Sequence, residues 1–144
     1  MSVGRFAVRQ VITVRPEEMV EAAAQRMLEH DVGALVVVEG RRPVGIVTDR
    51  DLVLRALAQG APAKQTEVRA IMTPEPICIA ESAALEGAIA DMKFYRIRRL
   101  VVVNDAQEVV GIIALDDILE LLVEERQALE AVMGVMRTAR RDRL

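Results

Sequence analysis

With 144 residues, 52% of them apolar and only 2% aromatic, the chain can bury one core, or one shared by two half-size units, built from Val, Ile, Leu, Ala and Met. A net charge of −3 gives no general pull toward nucleic acid or an anionic membrane, so neither is expected as a partner. The single cysteine, Cys78, excludes an internal disulfide framework, and no apolar run nears the roughly 20 residues that span a bilayer or forms a signal-peptide core, so a cytoplasmic protein is expected.

In chain order, Val11 to Val14 reads as a short strand. Pro16-Glu17-Glu18 then opens an amphipathic helix, since proline and acids favour a first turn. Its buried stripe is expected to be Val20, Ala23, Ala24 and Met27. Two β-branched runs follow, Ala34 to Val38 and Val44 to Thr48, joined by the turn-prone Glu39-Gly40-Arg41-Arg42-Pro43. A second helix begins at Asp49-Arg50-Asp51 and stops near Gly60, where Gly60-Ala61-Pro62 marks a linker.

The same order then returns. Ile77 to Ala80 reads as a strand, Glu81-Ser82 as a helix start, and Leu85, Ala88, Ile89 and Met92 as the buried stripe. Strands over Arg99 to Val103 and Val109 to Ile113 turn at Asn104-Asp105, and a last helix starts at Asp116-Asp117. That helix runs on through Glu130 toward Arg140, with Leu122, Leu129, Val132, Met133 and Met136 along one side. Position by position, the chain matches itself at an offset of 65, becoming 66 after the turn between the strand pair. Leu35-Val36-Val37-Val38 answers to Leu100-Val101-Val102-Val103, and Val44-Gly45-Ile46 to Val110-Gly111-Ile112. A duplication of this size means two supersecondary units that share a core.

Gly45-Ile46-Val47-Thr48-Asp49-Arg50-Asp51, its counterpart Gly111-Ile112-Ile113-Ala114-Leu115-Asp116-Asp117, and Ile71-Met72-Thr73-Pro74 before the second copy resemble the CBS domain. In pairs, such domains make the Bateman module. The resemblance implies an α/β (α+β) fold of two tandem β-α-β-β-α repeats packed about a pseudo-twofold axis. It places repeat one at 6–60, a linker at 61–70, repeat two at 71–125 and a helical extension at 126–144. It also implies two clefts built by both repeats, which in many members hold AMP, ADP, ATP or S-adenosylmethionine, and a homodimer.

On the family pattern, one cleft takes Arg15, Val20, Val32 and Gly33 from repeat one, with Arg99, Ile112, Ala114 and Asp117 from repeat two. The other takes Ile46, Thr48 and Asp51 with Ala80, Ile97 and Arg98. The chemistry suits an adenosine ligand. A carboxylate at a helix start accepts hydrogen bonds from a ribose diol, and a nearby hydroxyl and free helix N–H groups bind phosphate. Arg99 offers a planar fork of donors. The departures are Ala114, where the pattern has Ser or Thr, and Ala34, at the position matching Arg99. A site short of one such bond weakens by about 0.5–3 kcal/mol. Both clefts are expected to bind, with the Arg99 cleft better suited to polyanions.

Plainer readings of these residues stay open. Thr48-x-x-Asp51 is also a capping box, although Asp117 persists where Ala114 destroys the box. Arg98 and Arg99 beside Arg96 also fit a solvated basic cluster. His30 fits a helix C-terminus, Cys78 a small core residue, and the tail methionines core or partner packing. Arg137, Arg140, Arg141 and Arg143 fit a basic helix end. The sequence has no second histidine, no Cys-x-x-Cys, no Gly-x-Gly-x-x-Gly and no Walker sequence. No catalytic residue, metal site or required cofactor is therefore expected. A sensor for an adenine nucleotide leads, with a protein-interaction scaffold whose clefts are vestigial, serving an unidentified partner, as the alternative.

Overall fold

Leu35 to Val38 and Leu100 to Val103 are apolar at every position, and a strand of that kind needs cover on both faces. The computed structural model describes residues 1–142, with side chains as far as Arg137, and shows what supplies that cover. Its elements are α1 (Val3–Phe6), β1 (Thr13–Val14), α2 (Val20–His30), β2 (Ala34–Glu39), β3 (Arg42–Thr48) and α3 (Asp49–Asp51), which widens into a π-helical turn over Leu52–Leu57. After a 3-10 turn at Val68–Ala70 come β4 (Thr73–Pro74), β5 (Cys78–Ala80), α4 (Leu85–Tyr95), β6 (Arg99–Val103), β7 (Val109–Ala114) and α5 (Leu115–Asp142). The chain thus folds as two tandem repeats of mixed α/β structure. None of the described helices is long and apolar enough to cross a membrane.

Each repeat pairs a first strand parallel to the next and a third antiparallel to it: β1-β2-β3 in one sheet, β5-β6-β7 in the other. Alternation along β2 sends Leu35 and Val37 into the core of repeat one, with Val14, Val20, Ala23 and Met27. It sends Val36 and Val38 the other way, onto Val101 and Val103 of repeat two. The two sheets therefore cover each other through this valine layer, which accounts for the unbroken apolar runs.

Two straps complete the halves, and each belongs in sequence to the wrong one. Val68 and Ile71, at the entry to repeat two, are buried in the core of repeat one, and β4 pairs with β3 at Gly45 and Ile46. Val3 and Phe6, at the entry to repeat one, are buried in the core of repeat two, and Val8 pairs with Ile112 on the edge of β7. The glycines of the two motifs stand where the straps pass. A Cβ on Gly45 would lie 2.6 Å from Met72 Sδ and 3.0 Å from the Thr73 carbonyl; one on Gly111 would lie 3.1 Å from Ala7 Cβ.

The straps also move the helix starts. α2 begins at Val20, not in the turn at Pro16-Glu17-Glu18, and α4 begins at Leu85, not at Glu81-Ser82. Neither has a side-chain cap. Instead the Val20 N–H donates to the Thr66 carbonyl and the Leu85 N–H to the Met1 carbonyl, both at 2.9 Å, so strap backbone satisfies the first turn. Ala24 and Ile89, expected in the buried stripes, are exposed. Each helix lies on a single sheet and buries only i, i+3 and i+7: Val20, Ala23, Met27 and Leu85, Ala88, Met92. His30 is the last residue of α2. Arg140 and Arg141, in the last turns of α5, and Arg143 lie outside the residues whose side chains are described.

Candidate functional site

β2 of repeat one begins opposite the end of β7 of repeat two, and a cleft of about 300 Å3 opens there. Its lining brings together Val32, Gly33, Arg99, Ile112, Ala114 and Asp117, six of the eight residues expected to meet. It does not include the other two. Val20 is 4% exposed in the core of repeat one, and Arg15 lies in the turn before α2, with its guanidinium 3.6 Å from Glu17.

Sequence reasoning missed Val8, Gln10, Val11 and Ile12, a whole wall supplied by the strap and the extended chain after it. It also missed Ala34 and Asp116. No local signal marks the strap as part of a site, because its only partners are distant in sequence.

Arg99 starts β6 and leans across the cleft toward repeat one: its Nη2 lies 3.8 Å from where a Gly33 Cβ would stand. The Asp49 carboxylate also flanks Gly33, at 3.2 Å from the same point. A Cβ at position 33 would crowd the Asp49 carboxylate and reach ordinary contact with the Arg99 guanidinium. Asp117 sits in the first turn of α5, partly buried. Among the described residues, neither the Arg99 guanidinium nor the Asp117 carboxylate has a hydrogen bond or ion pair. Asp116 is held by Arg98 at 2.7 Å on the exposed rim. The cleft thus offers apolar walls (Val11, Ile12, Val32, Ile112), one uncommitted cation and one uncommitted carboxylate at a helix start. Such a set can sandwich a planar apolar group, grip an anion and accept from a diol.

The residues expected to share the second cleft are more committed. The Thr48 N–H donates to Asp51 Oδ2 at 2.9 Å, and the Asp51 N–H to Thr48 Oγ1 at 3.2 Å, so the capping box is formed. Arg55 Nε lies 3.6 Å from Asp51 Oδ1 and also ties β4 through Ile71 O and Thr73 Oγ1. The Asp51 side chain is 14% exposed. Ile46 packs on the valine layer, Ile97 packs on the core of repeat two, and Ala80 is the exposed last residue of β5. Arg98, which would replace the missing base, is paired with Asp116.

A second hollow of about 300 Å3 lies at the other end of the interface, between the two strand turns. Its basic residues are engaged, Arg9 with Glu81 at 2.9 Å and Arg41 with Glu108 at 3.5 Å. Cys78 is half-buried, its thiol donates to the Pro76 carbonyl at 3.4 Å, and burial pushes its pKa up, away from a reactive thiolate. Among the described residues no group of His, Cys, Asp and Glu could hold a metal ion.

The family model for the CBS domain matches the chain twice, at residues 3–57 and 68–124. An uncharacterized protein of Methanopyrus kandleri is 38% identical over 122 residues, 84% of this chain, which spans 62% of that relative's length. The CBS domain-containing protein YhcV of Bacillus subtilis is 42% identical over 109 residues, 76% of each chain. Among solved structures, one of a Burkholderia ambifaria protein with CBS domains superposes with a TM-score of 0.77 at 30% identity, covering 86% of this chain and 95% of that one. A CBS domain protein of Pyrobaculum aerophilum complexed with AMP superposes with a TM-score of 0.74 at 26% identity, covering 81% and 89%.

Proposed function

The chain belongs to the CBS-domain family, with two copies of the repeat, and from that premise we propose that it is a regulatory sensor binding an adenine nucleotide or adenosyl ligand between them. One observation carries the reading: Arg99 and Asp117, both uncommitted, share a cleft whose apolar walls come from both halves. Adenine packs between the walls, the ribose diol donates to Asp117, and Arg99 grips the phosphate. The AMP complex of the Pyrobaculum protein, which has a similar fold, supports the ligand class. A ligand held by both halves favours one relative orientation of the repeats, and that preference is what a partner can read. The second cleft, with its carboxylate already held by Thr48 and Arg55, is the weaker of the two in this proposal.

Calorimetric titration with AMP, ADP, ATP and S-adenosylmethionine tests the reading. One strong site per chain, weakened roughly 30- to 150-fold in Arg99→Ala, is the expected result; no heat from any of the four at millimolar concentration overturns it. The scaffold reading keeps one observation of its own, the exposed apolar side of α5. It predicts an assembly that none of these ligands alters.

A further inference from the structure

α5 is 28 residues long, and among its described side chains only those of its beginning rest on the rest of the molecule. Ile118 and Leu121 pack on the core of repeat two, and Glu125 takes an ion pair from Arg5 at 2.7 Å. From Arg126 to Arg137 every residue is exposed. Leu119, Leu122, Leu129, Met133 and Met136 are 37–61% exposed. Together with Arg126 they follow the alternating three-and-four spacing of a coiled-coil seam over more than two heptads. A seam of that spacing is shaped for another helix.

The charges along α5 say which helix and which way round. Residues 115–125 carry Asp116, Asp117, Glu120, Glu124 and Glu125 and no base. From position 137 the sequence carries Arg137, Arg140, Arg141 and Arg143 against the single acid Asp142. Two copies laid parallel set acid beside acid and base beside base. Laid antiparallel, Arg137 of each runs beside the acidic start of the other, and the helix dipoles oppose.

We propose that α5 pairs with α5 of a second copy of this chain, antiparallel, in the register that sets Leu119 against the partner's Met136, Leu122 against the partner's Met133 and Arg126 against the partner's Leu129. Arg126 fits an apolar seam in this register because its stem covers the partner's leucine. Its guanidinium meanwhile stays at the edge, 3.1 Å from Glu130 of its own helix. The assembly does not depend on what the cleft binds.

Light scattering after size exclusion, followed by disulfide trapping in a Cys78→Ser background, tests both the partner and the direction. The mass of two chains is expected at micromolar concentration, falling to one chain in Leu129→Lys/Met133→Lys with the dissociation constant raised at least tenfold. These side chains are exposed in the single chain, so its circular dichroism should be unchanged. Leu119→Cys should form a disulfide with Met136→Cys when the two variants are mixed, and none with itself, because its own copies lie about 25 Å apart along an antiparallel pair. A one-chain mass for the parent protein, or a self-disulfide of Leu119→Cys, overturns the proposal.

Discussion

The starts of α3 and α5 occupy matching places in the two repeats, yet their carboxylates are in opposite states. In repeat one, Asp51 is closed into a capping box with Thr48 and lies against Arg55. In repeat two the corresponding residues are Ala114 and Leu121, so Asp117 loses both the box hydroxyl and the cation. The cation follows the same divide: Arg99 lines the cleft together with Asp117, whereas its counterpart in repeat one is Ala34. Duplication made two equivalent positions. Divergence spent one carboxylate on holding its own helix and left the other beside an unpaired arginine. A shared motif therefore does not mean a shared job, and the neighbours of the aspartate decide between cap and ligand.

The sharpest way to break this comparison is to remove each carboxylate in turn. Asp117→Ala and Arg99→Ala should each weaken the adenine nucleotide by about 2–3 kcal/mol, a loss of roughly 30- to 150-fold, because each removes a charged hydrogen bond. The unliganded protein should keep its urea midpoint, since neither side chain holds anything in place. Asp51→Ala should do the reverse, lowering stability by about 1 kcal/mol through the lost cap and leaving affinity in the Arg99 cleft unchanged. Equal effects of Asp51→Ala and Asp117→Ala on binding would show that the capping box does not withdraw Asp51 from ligand.

A second asymmetry sits at the start of α2. Glu18 accepts from the Arg15 N–H at 2.7 Å and from both ends of the Arg26 guanidinium, while the matching positions in repeat two are Ala83 and Asp91. The Arg26 hydrogen bonds, opposed by partial burial and helped by Arg15, hold the Glu18 carboxyl at about 2 instead of 4.5. A depressed carboxyl stabilises the fold fully above its unfolded value and loses that contribution as the pH falls from 4.5 toward 2. Hydrogen exchange should therefore show α2 loosening before α4 as the pH drops through this window. Glu18→Gln should cost about 2 kcal/mol at pH 7 and flatten the acid response, read from urea midpoints at pH 3 and pH 7.

Much of this architecture is legible in the sequence because the duplication doubles every local signal. The strand pairs and both helices of each unit follow from matching one copy onto the other, whereas the grouping of Val32, Gly33, Arg99, Ile112, Ala114 and Asp117 in one cleft comes from the resemblance to the CBS domain. What escapes comes from the straps. Val3 and Val68 are small apolar residues in stretches with no periodicity, and nothing local shows that each is fully buried in the other half. The Thr66 and Met1 carbonyls beside them replace the side-chain caps that normally announce a helix, which is why Pro16 and Glu81 misplace the starts of α2 and α4. The same gap hides the wall of Val8, Gln10, Val11 and Ile12 and places Val20 in a cleft it does not reach.

Restoring the missing hydroxyl sharpens the comparison from the other side. Ala114→Thr offers α5 the cap that Thr48 gives α3, and stability should rise by about 1 kcal/mol in urea. An unchanged midpoint would mean that the hydroxyl in repeat one contributes little and that Arg55 is what restrains Asp51.

The smallest expected effect concerns the charge of the ligand. Arg99 by itself makes the cleft look suited to polyanions, but the Asp49 carboxylate stands close to Gly33, and Asp116 and Asp117 line the cleft. One phosphate can sit on Arg99; further phosphates meet carboxylates. The preference should therefore run from AMP through ADP to ATP. Asp49 is exposed, so its influence is screened and amounts to about 0.2–1 kcal/mol for each added charge. Its counterpart in repeat two is Leu115, which carries no charge, so the effect belongs to this cleft alone. Asp49→Asn should narrow the gap between AMP and ATP by about two- to five-fold in parallel titrations, with AMP itself moving least. If both nucleotides gain equally, Asp49 acts on the first phosphate, and the ranking of ligands must come from the shape of the cleft instead.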